Sequence, residues 1–332
     1  MNRISRRQIL RGAGGLAAAG ALSGFARPAL AQAAEVRWAG LTPGFTVLIT
    51  HYIRHHKLDE KNGFKLGPAT EYTSVPTYYG DFDVGNYDVC IGSWDTFAVR
   101  HAGGVPLSYV CNITTANMIN LVSLRDTGAD RVEDLAGKVI AAPQSTGTYR
   151  MAKAVLSEFS NIDIEASSTI QSVTNPAASV SVLRAGSAAA GLTWEPNVSN
   201  GMAEDPRIQS IFNVGETYTK ATGGGVLPYF GVAVRNELLA RDPGVGAKID
   251  AMFKDCIDGI TGDVEAAVNI VGETTGFRPE VLTEAIASRR LHFVYASMTD
   301  PAARDNLRGA AEFCVRNGAL AQVPDDSFFI KL

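Results

Sequence analysis

Three hydroxyl residues and a glycine stand together at Ser145-Thr146-Gly147-Thr148, after a short apolar run and before a helical pattern. The first turn of a helix has backbone N–H groups without intrahelical partners, and the helix dipole places partial positive charge there. Gly147 would let a ligand approach the backbone, so this turn could bind an anion. The alternative is an ordinary helix whose N-terminus is capped by the hydroxyl of Ser145 or Thr146.

Two further turns combine a tryptophan with an acid, Ser93-Trp94-Asp95 and Trp194-Glu195. A buried carboxylate without a partner is costly, so two acids in one cleft would require a cation on the ligand. Asp95 could instead cap the helix that follows it, and Glu195 could be a first-turn or surface acid. The two tryptophans could equally belong to the hydrophobic core.

The elements that would position these turns are strands that alternate with helices. The hydroxyl-rich turn follows a predicted strand at Lys138–Ala142 and opens a predicted helix at Thr148–Phe159. Further predicted strands are Val36–Leu41, Phe64–Tyr72, Val89–Gly92, Leu107–Cys111, Ile119–Arg125, Ser168–Ile170, Ala188–Leu192, Ile208–Asn213 and Val226–Val234. Further predicted helices are Val47–Lys57, one from Ser93 through His101, Pro176–Ala185, Val245–Ile260, Val264–Thr274, Pro279–Ala287 and Ala302–Asn317. The alternation restarts at Lys138, which predicts two α/β lobes with parallel-rich sheets.

A glycine triplet, Gly223-Gly224-Gly225, precedes the strand at Val226–Val234. No helix follows it in the pattern, so it does not have the form of a phosphate-binding loop. We interpret it as a flexible crossover that returns the chain to the first lobe.

The N-terminus has the features of a twin-arginine export leader. Arg6 and Arg7 are followed by a short apolar stretch, Gly12 to Phe25, and by a small-x-small end that predicts cleavage after Ala31. The stretch is too short and too rich in glycine to span a membrane. The mature protein is therefore expected in the periplasm, and two domains fit the roughly 300 residues that remain.

Charge excludes two classes of partner. The leader contains five arginines and no acid, so cleavage lowers the net charge of the chain from −4 to −9. That balance argues against nucleic acids and anionic membrane surfaces. The four cysteines form no C-x-x-C pair, which leaves zinc and thioredoxin-like sites unsupported. Pairing of Cys90 with Cys111 and of Cys256 with Cys314 is possible in the periplasm, and buried free thiols are the alternative.

Several short segments, in this order and spacing, resemble the periplasmic taurine, alkanesulfonate and nitrate binding proteins of ABC importers. The matching segments are Lys57–Phe64, Tyr87–Gly92, Gly104–Pro106, Val132–Lys138, Trp194–Pro196 and Val232–Arg235. The resemblance covers nearly the whole mature chain. It implies an α/β, two-lobe periplasmic-binding-protein fold of type II, with two mixed sheets flanked by helices and a hinge of two crossing strands. Residues 1–31 would be the leader, 34–122 with 226–332 the first lobe, and 123–225 the second lobe.

The resemblance also implies a ligand cleft at the carboxyl ends of the strands, over which the lobes close. Carried over by position, its ligand-binding residues would be Thr42, Phe45, Ser93, Trp94, Asp95, Ser145, Thr146, Gly147, Thr148, Tyr149, Trp194, Glu195 and Tyr229. Helix N-termini would hold a sulfonate or carboxylate, and the aromatic residues would enclose an alkyl or ammonium group. Taurine-type members tend to carry an acid in the returning strand. Here Pro228-Tyr229-Phe230 stands there, so Asp95 or Glu195 would have to supply the counter-charge.

The resulting hypothesis is a monomeric periplasmic binding protein that delivers a small sulfonate or amino-sulfonate to an inner-membrane permease, with no cofactor and no catalytic activity. Recognised motifs for an enzyme, such as G-x-S-x-G, are missing from the sequence. A metal site is an alternative, because His51 and His55 lie one helical turn apart, although no H-E-x-x-H motif accompanies them. A pyrimidine, an aromatic carboxylate or another small nitrogenous solute in the same cleft is a further alternative.

Overall fold

The computed structural model of the chain describes residues 35–126 and 129–331, and the predicted leader lies outside them. The strands are β1 Ala39–Leu41, β2 Thr70–Tyr72, β3 Val89–Ser93, β4 Leu107–Thr114, β5 Ile119–Leu124, β6 Val139–Ala142, β7 Thr169–Ser172, β8 Ala190–Trp194, β9 Ile208–Asn213, β10 Phe230–Arg235 and β11 Phe293–Ser297. No helix in the described ranges is long and apolar enough to cross a bilayer.

The helices pack around these strands. They are α1 Phe45–His55, α2 Leu58–Lys61, α3 Val75–Asp83, α4 Trp94–Ala102, α5 Gly147–Ser160, α6 Ile164–Ser167, α7 Pro176–Arg184, α8 Asn197–Glu204, α9 Val214–Ala221, α10 Asn236–Arg241, α11 Val245–Gly262, α12 Val264–Val271, α13 Pro279–Ala287 and α14 Pro301–Arg316. Several begin with a proline in the first turn behind a side-chain cap. Asn175 caps α7 and Asp300 caps α14. Each cap accepts a hydrogen bond from a backbone N–H of the first turn that has no partner within the helix. Proline is tolerated in this turn because its missing N–H would have had no intrahelical partner.

Two mixed α/β units share the chain. The first sheet has the order β11-β4-β10-β3 with antiparallel neighbours, and β1 pairs in parallel with β2 beside it. The second sheet has the order β7-β6-β8-β5-β9, with parallel pairs on one side of β8 and antiparallel pairs on the other. We call each sheet with its helices a lobe. A parallel-rich sheet, expected from the alternation, is wrong for the four-stranded first sheet, because its three strand pairs are antiparallel.

Two neighbouring segments connect the lobes. The chain leaves the first sheet through Thr115–Met118 and returns to it after α9, ahead of β10. The two segments are paired: Ala116 N–H donates to the Leu227 carbonyl at 2.9 Å, and Thr115 bridges Pro228. After the glycine triplet the chain enters β10, which lies in the first sheet between β3 and β4. All of β5 lies in the second sheet, so the lobe boundary falls before Ile119 rather than at the predicted residue 123.

One continuous apolar core runs through both lobes, and a smaller cluster around Val122 and Leu183 lies in the second. Cys90, Cys111, Cys256 and Cys314 are buried in the core as free thiols, so neither of the possible disulfides is formed. Burial raises the pKa of the Cys90 thiol to about 12. These cysteines therefore serve as small apolar side chains.

Candidate functional site

A cavity of about 610 Å³, partly open to solvent, lies between the lobes. Its lining residues are Leu41, Val75, Pro76, Tyr79, Ser93, Thr96, Arg100, Ser145, Thr146, Gly147, Trp194, Tyr229 and Phe230. The first lobe supplies the ends of β1, β3 and β10 with α3 and α4, and the second supplies the turn before α5 and the end of β8. Six predicted site residues thus meet in one cavity: Ser93, Ser145, Thr146, Gly147, Trp194 and Tyr229.

The N-terminus of α5 has no side-chain cap. The Thr146 hydroxyl donates to the Pro143 carbonyl at 2.7 Å, and no side-chain oxygen accepts a hydrogen bond from the first turn. The ordinary capped helix, which was the alternative interpretation of this turn, is therefore wrong. Because the cavity reaches Ser145, Thr146 and Gly147, the partial positive charge of the helix end lies at its wall.

Of the residues that the structure describes, Arg100 is the only positively charged one that lines this cavity. Its guanidinium stacks on the Tyr79 ring, with the carbon 4.4 Å from the ring centroid. Nε lies 3.0 Å from Asp83 Oδ1, but these atoms do not meet the angular requirement of a hydrogen bond. Within the described ranges the guanidinium makes no hydrogen bond to the protein. Arg100 is thus held in place by stacking on Tyr79 and by its ion pair with Asp83, and its two Nη groups are the donors that remain available.

The remaining walls are aromatic and aliphatic. Trp194 and Tyr229 each lie close to Phe230, with ring centroids 5.8 Å and 4.9 Å away. The Tyr229 hydroxyl shares a 2.6 Å hydrogen bond with Thr148 of the second lobe. Burial and the charge of Asp95 raise the pKa of Tyr229 well above its ordinary value, so it presents a neutral hydroxyl. The cavity therefore offers an apolar enclosure around a few donors.

Asp95 does not face a cationic ligand group, contrary to the expectation from the sequence. It is 1% exposed, and Arg150 of α5 reaches it from the second lobe. Arg150 Nε donates to Asp95 Oδ2 at 2.7 Å, and its Nη2 donates to Thr96 Oγ1 at 2.8 Å. The counter-charge of Asp95 is therefore internal, and the ion pair joins the two lobes.

Glu195 likewise has an internal partner, which corrects its predicted role. It is fully buried, accepts hydrogen bonds from Ser199, and pairs with Arg290, whose Nε lies 2.6 Å from Glu195 Oε1. Burial raises the pKa of the Glu195 carboxyl, while the Ser199 N–H and Arg290 oppose the increase. Neither predicted acid lines the cavity.

Five other predicted residues lie outside the cavity lining, of which three are core residues. Phe45 packs between Phe230 and Phe293, and Trp94 is fully buried with its indole N–H donating to the Pro228 carbonyl at 2.8 Å. The Tyr149 hydroxyl donates to Glu165. Thr148 reaches the cavity only through Tyr229, and Thr42 lines an adjacent cavity. Phe45, Trp94 and Tyr149 are large aromatic side chains that are buried in the core. They do not line the cavity as predicted, and they instead pack behind its walls.

Seven lining residues were not in the predicted site: Leu41, Val75, Pro76, Tyr79, Thr96, Arg100 and Phe230. Val75, Pro76 and Tyr79 belong to α3, a helix that was not predicted at all. Its signals were present: Ser74 accepts from the Thr77 N–H as a cap, and Pro76 stands in the first turn. Tyr78, Tyr79 and Phe82 follow at helical spacing. Arg100 stands one turn after Thr96 on a helix that was predicted, so its direction toward the cleft could have been inferred.

The histidine alternative finds no support. Among residues 35–126 and 129–331, no group of three or more His, Cys, Asp or Glu side chains could hold a metal ion. His51 instead lies 3.8 Å from Glu71 on the surface.

Part of the chain matches the model of a known protein family. Residues 81–203 match the model of the NMT1/THI5-like family. No curated protein sequence matches the chain.

Solved structures with the same fold include three SsuA proteins. The aliphatic sulphonate binding protein of Escherichia coli has 13% identity and a TM-score of 0.71, over 90% of this chain and 92% of that one. The alkanesulfonate-binding protein of Xanthomonas axonopodis pv. citri, solved with MOPS, has 18% identity and a TM-score of 0.70, over 90% and 98%. The periplasmic sulfonate-binding protein of Methylobacillus flagellatus KT has 16% identity and a TM-score of 0.65, over 90% and 92%.

These likenesses confirm the predicted periplasmic-binding-protein fold. The three matched proteins are binding proteins by name.

Proposed function

We propose that this chain is the solute-binding protein of an ABC importer and that its inter-lobe cavity captures a small organic anion, with a sulfonate as the first candidate head group. One observation carries the proposal: the Arg100 guanidinium, whose Nη groups make no hydrogen bond to the described residues, and the uncapped turn of α5 line the same cavity. A guanidinium and backbone N–H groups together match the oxygens of a sulfonate or carboxylate.

The body of the ligand follows from the walls. Tyr79, Trp194, Tyr229 and Phe230 offer ring faces and edges suited to an alkyl or aryl group. Among the described residues no carboxylate lines the cavity, and Asp95 and Glu195 are paired with arginines of the chain. An ammonium group would therefore lack a partner, which favours a plain organic sulfonate over an amino-sulfonate such as taurine. The same donors fit an aromatic carboxylate, which is the second candidate.

Transport would proceed by capture outside the inner membrane and delivery to a permease. The twin-arginine leader in residues 1–31 supports export, although it lies outside the described residues. The paired segments between the lobes offer a hinge, and the lobes would open and close about it as a monomer. Arg150–Asp95 and Arg290–Glu195 join opposite lobes, so each closure would make or break them.

Isothermal titration of the mature chain would test the proposal. The panel is ethanesulfonate, butanesulfonate, benzenesulfonate, taurine, benzoate, thymine and nitrate. We expect the organic sulfonates to bind with micromolar Kd values, taurine to bind more weakly than ethanesulfonate, and nitrate to bind poorly because it fills no apolar wall. If no anion of the panel binds more tightly than about 1 mM, the proposal is wrong. Tight binding of thymine alone would instead favour a neutral ligand.

A further inference from the structure

The two cysteines closest in sequence, Cys90 and Cys111, lie on strands of the first sheet that are not neighbours. Cys90 is in β3 and Cys111 is in β4, and β10 lies between these strands. Cys90 stands opposite Ala233 of β10. Cys111 stands opposite Val232, the preceding residue of the same strand. Because consecutive residues of a strand point to opposite faces of a sheet, the two thiols lie on opposite faces.

The surroundings of the two thiols agree with this placement. Cys90 Sγ lies 3.3 Å from the Tyr87 hydroxyl, which donates to the carbonyl of Tyr78 in α3. Burial raises the pKa of the Cys111 thiol well above its ordinary value, and Asp250 and Cys256 of α11 are near enough to add to the rise. Cα atoms two strands apart in a sheet are separated by about 9.5 Å, whereas a disulfide requires less than about 7 Å. The native fold therefore excludes a disulfide between these two cysteines.

The other two cysteines pack against different lobes. Cys256 Sγ lies 4.0 Å from the carbonyl of Ile49 in α1, which belongs to the first lobe. Cys314 Sγ lies 3.8 Å from Met151 Sδ in α5, which belongs to the second lobe. All four cysteines are at most 1% exposed. The native protein therefore offers no thiol to an oxidant unless it unfolds.

An unfolded chain would expose the same thiols with ordinary pKa values. A thiolate of the chain attacks a disulfide such as oxidised glutathione, forms a mixed disulfide and releases one glutathione thiolate, and a second cysteine then displaces the other glutathione. In sum, two protein thiols lose two electrons and two protons, and one glutathione disulfide becomes two glutathione thiols.

Closing the shortest loop loses the least chain entropy, so Cys90 and Cys111 should be the favoured pair. That disulfide would keep β10 from inserting between β3 and β4. The segment that enters β10 carries Tyr229 and Phe230, which line the inter-lobe cavity. An oxidised chain could therefore complete neither the first sheet nor the cavity.

We infer that this chain must finish folding before its thiols meet an oxidant, and that it therefore needs an export route that carries folded proteins. The twin-arginine leader proposed for residues 1–31 belongs to such a route, whereas the general secretory route passes unfolded chains. Thiols stay reduced in the cytoplasm, and burial then hides them in the oxidising periplasm. This inference goes beyond the proposed function, because it concerns how the protein reaches its compartment and does not depend on the ligand.

Refolding of the mature chain tests the first part of the inference. The protein is unfolded in guanidinium chloride at pH 8 with either dithiothreitol or oxidised glutathione, and is then diluted into buffer that contains the same reagent. The reduced sample should regain its native near-ultraviolet circular dichroism. The oxidised sample should lose most of that signal until dithiothreitol is added, and peptide mapping should find Cys90 joined to Cys111. Native protein kept with oxidised glutathione should not change.

Cys90→Ala and Cys111→Ala are the matched variants, since each removes the favoured pair and each covers a folding defect in the other. Both should refold in oxidised glutathione better than the wild type. Cys256→Ala leaves the pair intact and should be as sensitive as the wild type. A wild type that refolds equally well with both reagents, or variants at residues 90 and 111 that remain as sensitive as it, would overturn the inference.

Export tests the second part. A secretory-route signal peptide replaces residues 1–31, and the periplasmic fraction is analysed for native protein and free thiols. We expect the protein to be degraded or to have fewer than its four free thiols, and a host without its periplasmic thiol oxidase should restore the native, reduced protein. Native, fully reduced protein in the oxidising host, or equal loss of the protein in both hosts, would contradict the requirement for folding before export. Neither result would bear on the proposed ligand site, because no readout uses a ligand.

Discussion

The guanidinium of Arg100 has donors left over after its contacts with Tyr79 and Asp83, and this residue makes the cavity attractive to an anion. Replacement by glutamine removes the charge and most of the donors while retaining a similar stem. Loss of charge-assisted hydrogen bonds costs about 1.5–3 kcal/mol, so the Kd for a sulfonate should rise about 10- to 100-fold. Titration of Arg100→Gln measures this directly.

Arg131→Gln is the control for that experiment, because Arg131 pairs with Glu133 on the surface and its side chain is 66% exposed. Its Kd should equal that of the wild type. Arg100→Lys should fall between the two, because an ammonium group keeps the charge without the planar fork. Unchanged affinity in Arg100→Gln would remove this residue from the site.

The cysteines give a second prediction at this scale. Thiolate is the reactive form, and burial raises the pKa of the Cys90 thiol to about 12 and those of the other three thiols still further above the ordinary value. Ellman's reagent at pH 8 should therefore label almost no thiol in the native protein. All four should react, without prior reduction, once the protein is denatured in guanidinium chloride. Two or fewer reactive thiols under those conditions would show a disulfide.

Individual residues also mark where sequence reasoning reached its limit. The turn at residues 145–147 was predicted because its hydroxyls and glycine are adjacent in sequence. The partners of Asp95 and Glu195 were not, because Arg150 lies 55 residues from Asp95 and Arg290 lies 95 residues from Glu195. Side-chain pairing over such separations depends on how the lobes dock, and no local pattern records it.

At the scale of elements, the approach of α5 to α4 depends on Gly147. A Cβ added there would overlap Asp95 Oδ1 and come within 2.8 Å of Ser93 Oγ. Asp95 cannot easily move, because Arg150 holds it in a buried site. Gly147→Ala should therefore hold the lobes apart, lower sulfonate affinity at least about tenfold, and increase the radius of gyration measured by small-angle X-ray scattering.

Gly80→Ala provides the comparison. Gly80 also lies in a helix, α3, and a Cβ at that position meets no atom within 4 Å. It should leave affinity and radius of gyration at their wild-type values. A Gly147→Ala protein that binds and scatters like the wild type would contradict the close approach of the two helices.

The ion pair between Glu195, just before α8, and Arg290, just after α13, makes the stability of the protein depend on pH. Burial raises the folded-state pKa of the Glu195 carboxyl above its ordinary value, and Arg290 limits that rise. A raised carboxyl pKa means that stability is lost as pH rises through the folded-state value. Arg290→Met removes the opposing charge, so the loss should grow and extend to higher pH, reaching about 3 kcal/mol at neutral pH.

Thermal or urea unfolding at pH 4.5, 6.0 and 7.5 would measure this effect. The difference from the wild type should be smallest at pH 4.5 and largest at pH 7.5. In the double variant Glu195→Gln with Arg290→Met the added pH dependence should vanish, because no carboxyl remains to titrate. A pH-independent difference in the single variant would show that Arg290 acts only through packing.

Elements with clear local signals were predicted well, and others were not. The pattern of α13 predicted Pro279–Ala287, which is its observed range, because a proline start and an apolar stripe fix both ends. The pattern missed β11, whose residues are mostly half-buried and alternate weakly. It also missed α3, where tyrosines and phenylalanine suggested no helix although the Ser74 cap and Pro76 did. That omission removed Tyr79 from the predicted site.

At the scale of the whole molecule, export is a prediction that rests on the leader. Arg6→Lys combined with Arg7→Lys should block export in a bacterial host, so that cell fractionation finds the precursor in the cytoplasm. Arg3→Lys combined with Arg11→Lys keeps the adjacent pair and should leave export intact. Sequencing of the exported protein should begin at Gln32. Export of the paired-lysine variant would contradict the twin-arginine assignment.

The two-lobe architecture was predictable because strand and helix signals alternate twice, whereas the ligand was not. The cavity is shaped by the docking of the lobes, in which Arg100 and Tyr79 of the first lobe meet the α5 turn of the second. The central claim is that an organic anion binds there with its head at Arg100.

A crystal structure of the protein with 4-bromobenzenesulfonate, using anomalous scattering from bromine, tests that claim most directly. The account predicts the sulfonate within hydrogen-bond distance of the Arg100 guanidinium and the turn at residues 145–147, with the bromine beside Trp194. A bromine peak outside the inter-lobe cavity, or a sulfonate turned away from Arg100, would contradict it.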